Sequence, residues 1–358
     1  MSEYSGFTLH QIAPYIGKLR PSLARQLVRR YSSQGDVVWD PFCGSGTIPL
    51  EAKLLHRNVI ASDVNPYACV LTRAKLHAPC SAEKALNQLT RAVDELSAMQ
   101  LEKKDVPPSW VSKFFHDRTL AEVRVLMRWF LRNRDYFNAG CLLGILHHQR
   151  PGFLSYPSSH LVPYLRTRLF PKDVYPEAYR YREPISRLRA KIERTLDDPP
   201  PPTISRYKVL QKSALKEYVR DTLVDSVITS PPYMDALDYC RDNRLRLWFL
   251  GVPDYKAVRE TEMRKIGRFR ADMYKSLQII ARVLKPGGAC VMVLGDVTRT
   301  RKRYDVPQMI CEIVSSGLKD LQLESRRTEE LPDIRRSRKS GRATREETIL
   351  VFRCRRKY

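Results

Sequence analysis

Val37-Val38-Trp39-Asp40 is a short apolar run ending in an acid, and it breaks at once into Pro41-Phe42-Cys43-Gly44-Ser45-Gly46-Thr47. The helical pattern Ile48-Pro49-Leu50-Glu51-Ala52 follows. Strand, glycine loop and helix in that order constrain the fold more than any other stretch. A short strand buried on both faces, followed by a helix, belongs to a parallel sheet covered by helices. The glycines let backbone approach a ligand, and the helix start offers unpaired N–H groups suited to a carboxylate. The spacing is not that of a P-loop, nor the full G-x-G-x-x-G of a dinucleotide site. Asn58-Val59-Ile60-Ala61-Ser62-Asp63 then reads as a second strand ending in an acid. An Asp in that place can bind a ribose diol. Glycine loop and Asp63 together describe a nucleoside pocket.

The rest of the chain supplies a sheet for this pocket. Arg206–Gln211, Asp225–Thr229, Ala289–Asp296, Asp320–Glu324 and Thr348–Phe352 read as further strands. Helical patterns open at Pro21 and cover 66–75, 82–99, about 254–283 and 307–316. Lys285-Pro286-Gly287-Gly288 reads as a stop signal after the fourth of these. The expected fold is α/β. Between 100 and 203 the pattern changes to apolar residues at helical spacing, and Pro199–Pro202 closes that stretch as a stiff linker. The expected division is therefore 1–99, a mainly helical insertion at 100–203, and 204–358.

Thr229-Ser230-Pro231-Pro232-Tyr233 ends the fourth strand. Two prolines remove ladder donors and force a sharp turn. A rigid turn at the C-terminal end of a parallel strand is where open α/β sheets place their chemistry. It offers a hydroxyl, freed carbonyls and an aromatic face, groups that suit a planar base with an exocyclic amine.

Charge bears on the partner. Lys and Arg number 63 against 39 Asp and Glu, a formal +24. Such a surplus fits a polyanion, nucleic acid first, and fits equally a generally basic solvated surface. Residues 163–194 interleave Arg with Tyr, as in Tyr164, Arg166, Arg168, Tyr175 and Arg180. That pattern suits phosphate contact and base stacking, or a solvated helical face. The loop 326–345, with Arg335, Arg336 and Arg338, is a second basic candidate. The eight cysteines include no C-x-x-C pair, and His147, His148 and His160 lack an acidic cluster, so no metal is expected. No apolar run is long enough to span a bilayer, and the expectation is a cytoplasmic, non-membrane protein.

Taken together, Asp40–Thr47, Asp63-Val64-Asn65-Pro66 and Thr229–Tyr233 resemble the motifs of the amino-group DNA methyltransferases, which modify cytosine N4 or adenine N6. The resemblance covers about residues 7–75 and 205–300. It implies a Rossmann-like seven-stranded methyltransferase sheet and S-adenosyl-L-methionine as cofactor. It implies cofactor contacts from Lys18, Asp40, Pro41, Phe42, Gly44, Ser45, Gly46, Thr47, Asp63 and Asn65, with Asp63 on the ribose. The lead-in His10–Lys18 is similar to the family segment holding the methionine end. Ser230, Pro231, Pro232 and Tyr233 are implied to hold the flipped base, and Ser in the first place leans toward cytosine N4. DNA is the implied partner, and a cognate restriction nuclease a further one. Adenine-N6 methylation, RNA methylation and an inactive DNA-binding protein are the alternatives. Gln211-Lys212-Ser213 departs from the Gly-Asp-Ala that relatives often carry after the third strand.

Overall fold

The computed structural model describes residues 6–98, 106–159, 162–216, 223–232, 238–259, 266–299, 302–330 and 346–356. Its strands are β1 (Val37–Asp40), β2 (Asn58–Asp63), β3 (Tyr207–Gln211), β4 (Val224–Thr229), β5 (Leu284–Gly295), β6 (Val297–Arg299), β7 (Lys302–Tyr304), β8 (Leu321–Glu330) and β9 (Glu346–Cys354). Seven of them form one sheet in the order β3-β2-β1-β4-β5-β9-β8. The first five run parallel, and β9 pairs antiparallel with both β5 and β8. This is the seven-stranded α/β sheet expected from the sequence.

Both faces of the sheet are dry. Val38, Ile228, Val291 and Val351 pack with Leu23, Leu27 and Val28 of α1 (Pro21–Tyr31) and Ile48 and Ala52 of α2 (Thr47–Leu54). Trp39, Val227, Cys290 and Phe352 point the other way, with residues that belong to two later helices such as Phe269, Leu277 and Ile310. Neighbouring residues on one strand alternate faces, so continuous apolar runs here mean burial on both sides.

The remaining helices are α3 (Pro66–Leu76), α4 (Ala82–Ala98), α5 (Ser109–Ser112), α6 (Asp117–Arg132), α7 (Tyr136–Gly144), α8 (Pro184–Thr195), α9 (Tyr239–Asp242), α10 (Arg244–Phe249), α11 (Tyr255–Arg259), α12 (Ile266–Val283) and α13 (Val306–Gly317). Helices α6, α7 and α8 share one apolar core with α3, with Leu9 and Ile12 of the lead-in, and with Leu245 and Leu247 of α10. Gly144 makes the approach possible: a Cβ there would stand 2.1 Å from the Ile12 carbonyl oxygen. The 100–203 stretch thus buttresses the segment that leads into the cofactor loop.

Two local expectations are corrected. Helix α12 stops at Val283, but Lys285–Gly288 is not a free turn; it opens β5, at an irregular register opposite Val224 and Ser226. Of the helix expected over 254–283, α11 and α12 are described, and residues 260–265 between them lie outside the described residues. A small antiparallel hairpin, β6–β7, extends the chain beyond β5 and was not foreseen. Arg326 and Arg327 of the expected basic loop lie in β8, and the rest of that loop lies outside the described residues, as do Tyr233 and His160.

Candidate active site

Parallel strands end on one edge, and the loops leaving β1, β2, β3 and β4 meet there. They line a cleft of about 840 Å³, its open mouth included. The walls are contributed by Tyr15, Lys18, Asp40–Ser45, Thr47, Asp63–Asn65, Lys212–Ala214, Ser230, Pro232 and Tyr239.

The glycine loop is held from below. Gly46 adopts a left-handed conformation, φ 73°, as the cap of α2. A Cβ there would lie 2.7 Å from Thr72 Oγ1 and 2.8 Å from Thr72 Cα, so α2 and α3 close on that point. Gly46 therefore lies behind the cleft and does not line it. Ser45 Oγ and Thr47 Oγ1 share a hydrogen bond of 3.1 Å. The Gly44 N–H donates to Asp63 Oδ2 at 2.9 Å, and the Asn65 N–H donates to Asp63 Oδ1 at 2.9 Å. Asp63 thus fixes the loop of β1 to the loop of β2. Asn65 caps α3 by accepting from the Tyr67 N–H at 3.0 Å.

Asp40 is buried, and its Oδ1 accepts from Thr229 Oγ1 at 2.6 Å and from the Phe42 N–H at 3.2 Å. Burial pushes its carboxyl up to about 7, against the opposing effect of the Thr229 bond. Burial likewise raises Asp63 to about 6, opposed by its backbone donors. Lys18 lies in the wall, its Nζ donating to the His10 carbonyl at 3.0 Å, and burial lowers its pKa. His10 in turn pairs with Glu51 of α2 at 2.8 Å, and Glu51 with Arg25 of α1 at 3.0 Å. The lead-in is therefore clamped to both helices that flank β1.

On the other side of the cleft, Ser230 Oγ donates to the Val293 carbonyl of β5 at 3.0 Å. Its proton is committed to the sheet, which leaves its lone pairs as acceptors. Pro232 lines the cleft, whereas Pro231 is buried outside its wall.

Of the expected cofactor and base residues that are described, all but Gly46 and Pro231 line this one cleft. Sequence reasoning missed Tyr15, Lys212, Ser213, Ala214 and Tyr239. Tyr15 stacks between Tyr67 and Tyr239, with ring centroids 5.9 and 5.8 Å apart. Tyr15 lay within the quoted lead-in, and its place among Pro, Ile and Gly was the available signal. Lys212–Ala214 follow β3, where a strand end at the sheet's active edge is signal enough. Among the described residues, no group of three or more His, Cys, Asp or Glu is placed to hold a metal. His147 is buried, its Nδ1 2.8 Å from the Ser159 carbonyl oxygen.

Residues 12–105 match the family model described as "RMKL-like, methyltransferase domain". The chain is 26% identical over 282 residues to Type II methyltransferase M.BsoBI of Geobacillus stearothermophilus, covering 71% of this chain and 54% of that protein. It is 37% identical over 68 residues to Type II methyltransferase M.MjaII of Methanocaldococcus jannaschii, covering 19% of this chain and 13% of that one. The chain thus spans about half or less of the curated relatives it matches. Among solved structures it is similar to TrmN from Thermus thermophilus, at 13% identity and a TM-score of 0.39, covering 97% of this chain and 52% of that one. The fold assignment rests on the strand order above.

The cleft suits S-adenosylmethionine. It offers the Lys18 ammonium, the Ser45 and Thr47 hydroxyls, the Asp63 carboxylate at the end of β2, and the apolar Phe42 and Ala214. These match in kind a carboxylate, a ribose diol and a planar ring.

Proposed function

We propose that this chain, an S-adenosylmethionine-dependent methyltransferase, transfers a methyl group to the exocyclic amine of a base in DNA, with cytosine N4 as the target. One observation carries the reading. The loop after β1 and the loop after β4 line a single cleft, and Ser230 meets it as a hydroxyl whose proton is already given to Val293. Such a group accepts from an amine N–H and has no proton left to offer a ring carbonyl.

Bound in the glycine-loop side, S-adenosylmethionine supplies a methyl group on a positively charged sulfur. The chain's own residues do the rest. Lys18 and the Ser45 and Thr47 hydroxyls take the anionic end, and Asp63 takes the diol. An exocyclic amine is conjugated to its ring and is a poor nucleophile. Ser230 and the carbonyls freed by Pro231 and Pro232 accept its N–H bonds, favouring a pyramidal nitrogen with its lone pair free. The cleft fixes the approach, so most of the catalytic effect is orientation. Tyr233 is the expected stacking partner of the flipped base.

The surface around the insertion fits a nucleic-acid partner. Tyr164, Leu169, Val174 and Tyr175 are exposed beside the exposed Arg168, Lys172 and Arg180. The Arg244 guanidinium of α10 donates to the Pro163 carbonyl, tying this segment to the helices that follow the base loop. Residues 1–99 and 204–358 are read as two halves of one catalytic unit and 100–203 as the part that finds the target. A cognate restriction nuclease is a partner expected from the resemblance alone.

The test is incubation with methyl-labelled cofactor and either DNA or RNA, followed by identification of the modified nucleoside by mass. N4-methyldeoxycytidine is the expected product. N6-methyldeoxyadenosine would move the target base, label in RNA alone would move the substrate, and no transfer to either would overturn the reading.

A further inference from the structure

The cofactor loop and the base loop are joined by a side-chain contact that neither motif announces. Asp40 is the last residue of β1 and Thr229 the last of β4. These strands pair in register at Val38 with Ser226 and Trp39 with Val227. Diagonally beyond that ladder, Thr229 Oγ1 donates to Asp40 Oδ1 at 2.6 Å, with Thr229 fully buried and Asp40 2% exposed. The same oxygen accepts the Phe42 N–H at 3.2 Å and so also holds the first turn of the glycine loop. On its far side, Thr229 is locked to Met292 of β5. Ser230, the next residue, is locked to Val293. A single carboxylate oxygen therefore carries both the glycine loop and the residue before Ser230, and Asp40 itself lines the cleft.

We propose that Asp40 and Thr229 are a positioning pair that transmits cofactor occupancy to the base loop. The inference rests on the reading of the cleft as a cofactor-and-base site. A cationic cofactor in the cleft favours the ionised form of Asp40. An ionised acceptor makes a shorter and stronger hydrogen bond than a neutral one. Thr229 is thereby held in one rotamer, and the backbone of Ser230 with it. Without the cofactor, the same carboxyl in its dry surroundings resists ionisation, and its hold on Thr229 is weaker. The base loop is then set only when the methyl donor is in place. The coupling is reciprocal: a base seated on Ser230 tightens the cofactor by the same factor.

Hydrogen exchange tests this without a known target sequence. In the wild-type chain, saturating S-adenosylmethionine is expected to slow exchange of the Thr229 and Ser230 amides at least fivefold. Thr229→Val keeps the shape and removes the donor. It is expected to bind the cofactor within threefold of wild type, by calorimetry, and to gain no such protection. Thr229→Ser restores the donor and is expected to restore the protection. Should Thr229→Val fail to fold, Asp40→Asn carries the test, since it keeps an acceptor and removes the charge. At cofactor concentrations that saturate it, that variant is expected to gain less than twofold. Full protection in Thr229→Val, or none in a wild-type chain that binds cofactor, overturns the proposal. A wild-type chain that binds no S-adenosylmethionine overturns the reading of the cleft instead.

Discussion

At the scale of single residues, the site is governed by what each polar group has already given away. Ser230 has spent its proton on Val293, so Ser230→Ala removes both an acceptor facing the cleft and the tie to β5. Methyl transfer is expected to fall about 10- to 100-fold, with cofactor affinity within about twofold of wild type, by analogy with removal of one hydrogen-bonding group from an active site. Calorimetry beside single-turnover kinetics separates the two; a drop in cofactor affinity alone would place Ser230 on the wrong side of the cleft. Asp40 makes a pH-dependent prediction. Its folded carboxyl stands at about 7, above the ordinary value of 3.8. A raised pKa favours folding at low pH, and that contribution is lost as pH climbs from about 4 through about 7. Asp40→Asn is therefore expected to raise the melting temperature more at pH 8 than at pH 5, while weakening cofactor binding. An equal change at both values would mean that the carboxylate is not desolvated. The Asp40–Thr229 bond itself was not legible in the sequence. Its partners stand 189 residues apart, and only the sheet order makes them neighbours.

At the scale of elements, the strands were legible and their tails were not. Runs such as Val38–Trp39 and Val291–Leu294 are buried on both faces, as strands of a helix-covered parallel sheet are. Lys285–Gly288 misled because Pro and Gly usually end elements. Here helix α12 ends at Val283 and β5 begins at Leu284, so the irregular backbone of Lys285–Gly288 is absorbed into the start of β5. The β6–β7 hairpin escaped because strands of three residues, Val297–Arg299 and Lys302–Tyr304, are too short to display an alternation. Helix placement yields its own test. Gly46 combines a positive φ with a Cβ site 2.7 Å from Thr72 Oγ1. Gly46→Ala is expected to cost about 2–4 kcal/mol in urea unfolding, from the left-handed backbone and the overpacking together. A variant as stable as wild type would mean that α2 and α3 do not meet so closely.

At the scale of the molecule, a formal +24 meets a segment that exposes Leu169 and Val174. Internal bonds order that segment: the Tyr175 N–H donates to the Pro171 carbonyl at 2.8 Å, and Tyr156 and Tyr179 rings lie 5.0 Å apart. Its apolar side chains thus protrude from a built surface. Leu169→Ser with Val174→Ser is expected to change stability by less than about 0.5 kcal/mol, since neither side chain is in the core. Oligonucleotide binding is expected to weaken with the slope of log affinity against log salt unchanged. Arg168→Ala with Lys172→Ala is expected to flatten that slope, because it removes phosphate contacts. Unchanged binding in both double variants would assign the partner to another face. The charge surplus pointed to a polyanion from composition alone. Where it would dock was not legible, because Arg and Tyr in 163–194 serve internal roles as well, Arg182 holding the Phe153 and Ser155 carbonyls among them.

The sheet order carries one more consequence. Strands β1 and β2, which present the glycine loop and Asp63, lie between β3 and β4, so both flanks of this pair are supplied by chain beyond residue 206. On the ribosome, the first two strands emerge long before either neighbour exists. Until Gln211 has cleared the exit tunnel both their edges stand open, the β1 edge stays open until Thr229 follows, and open edges invite pairing with the wrong strand. A nascent chain stopped within the insertion would own every residue of the glycine loop and still lack the walls that make it a grip. The hold on the methyl donor and the hold on the base are thus born at the same moment of synthesis.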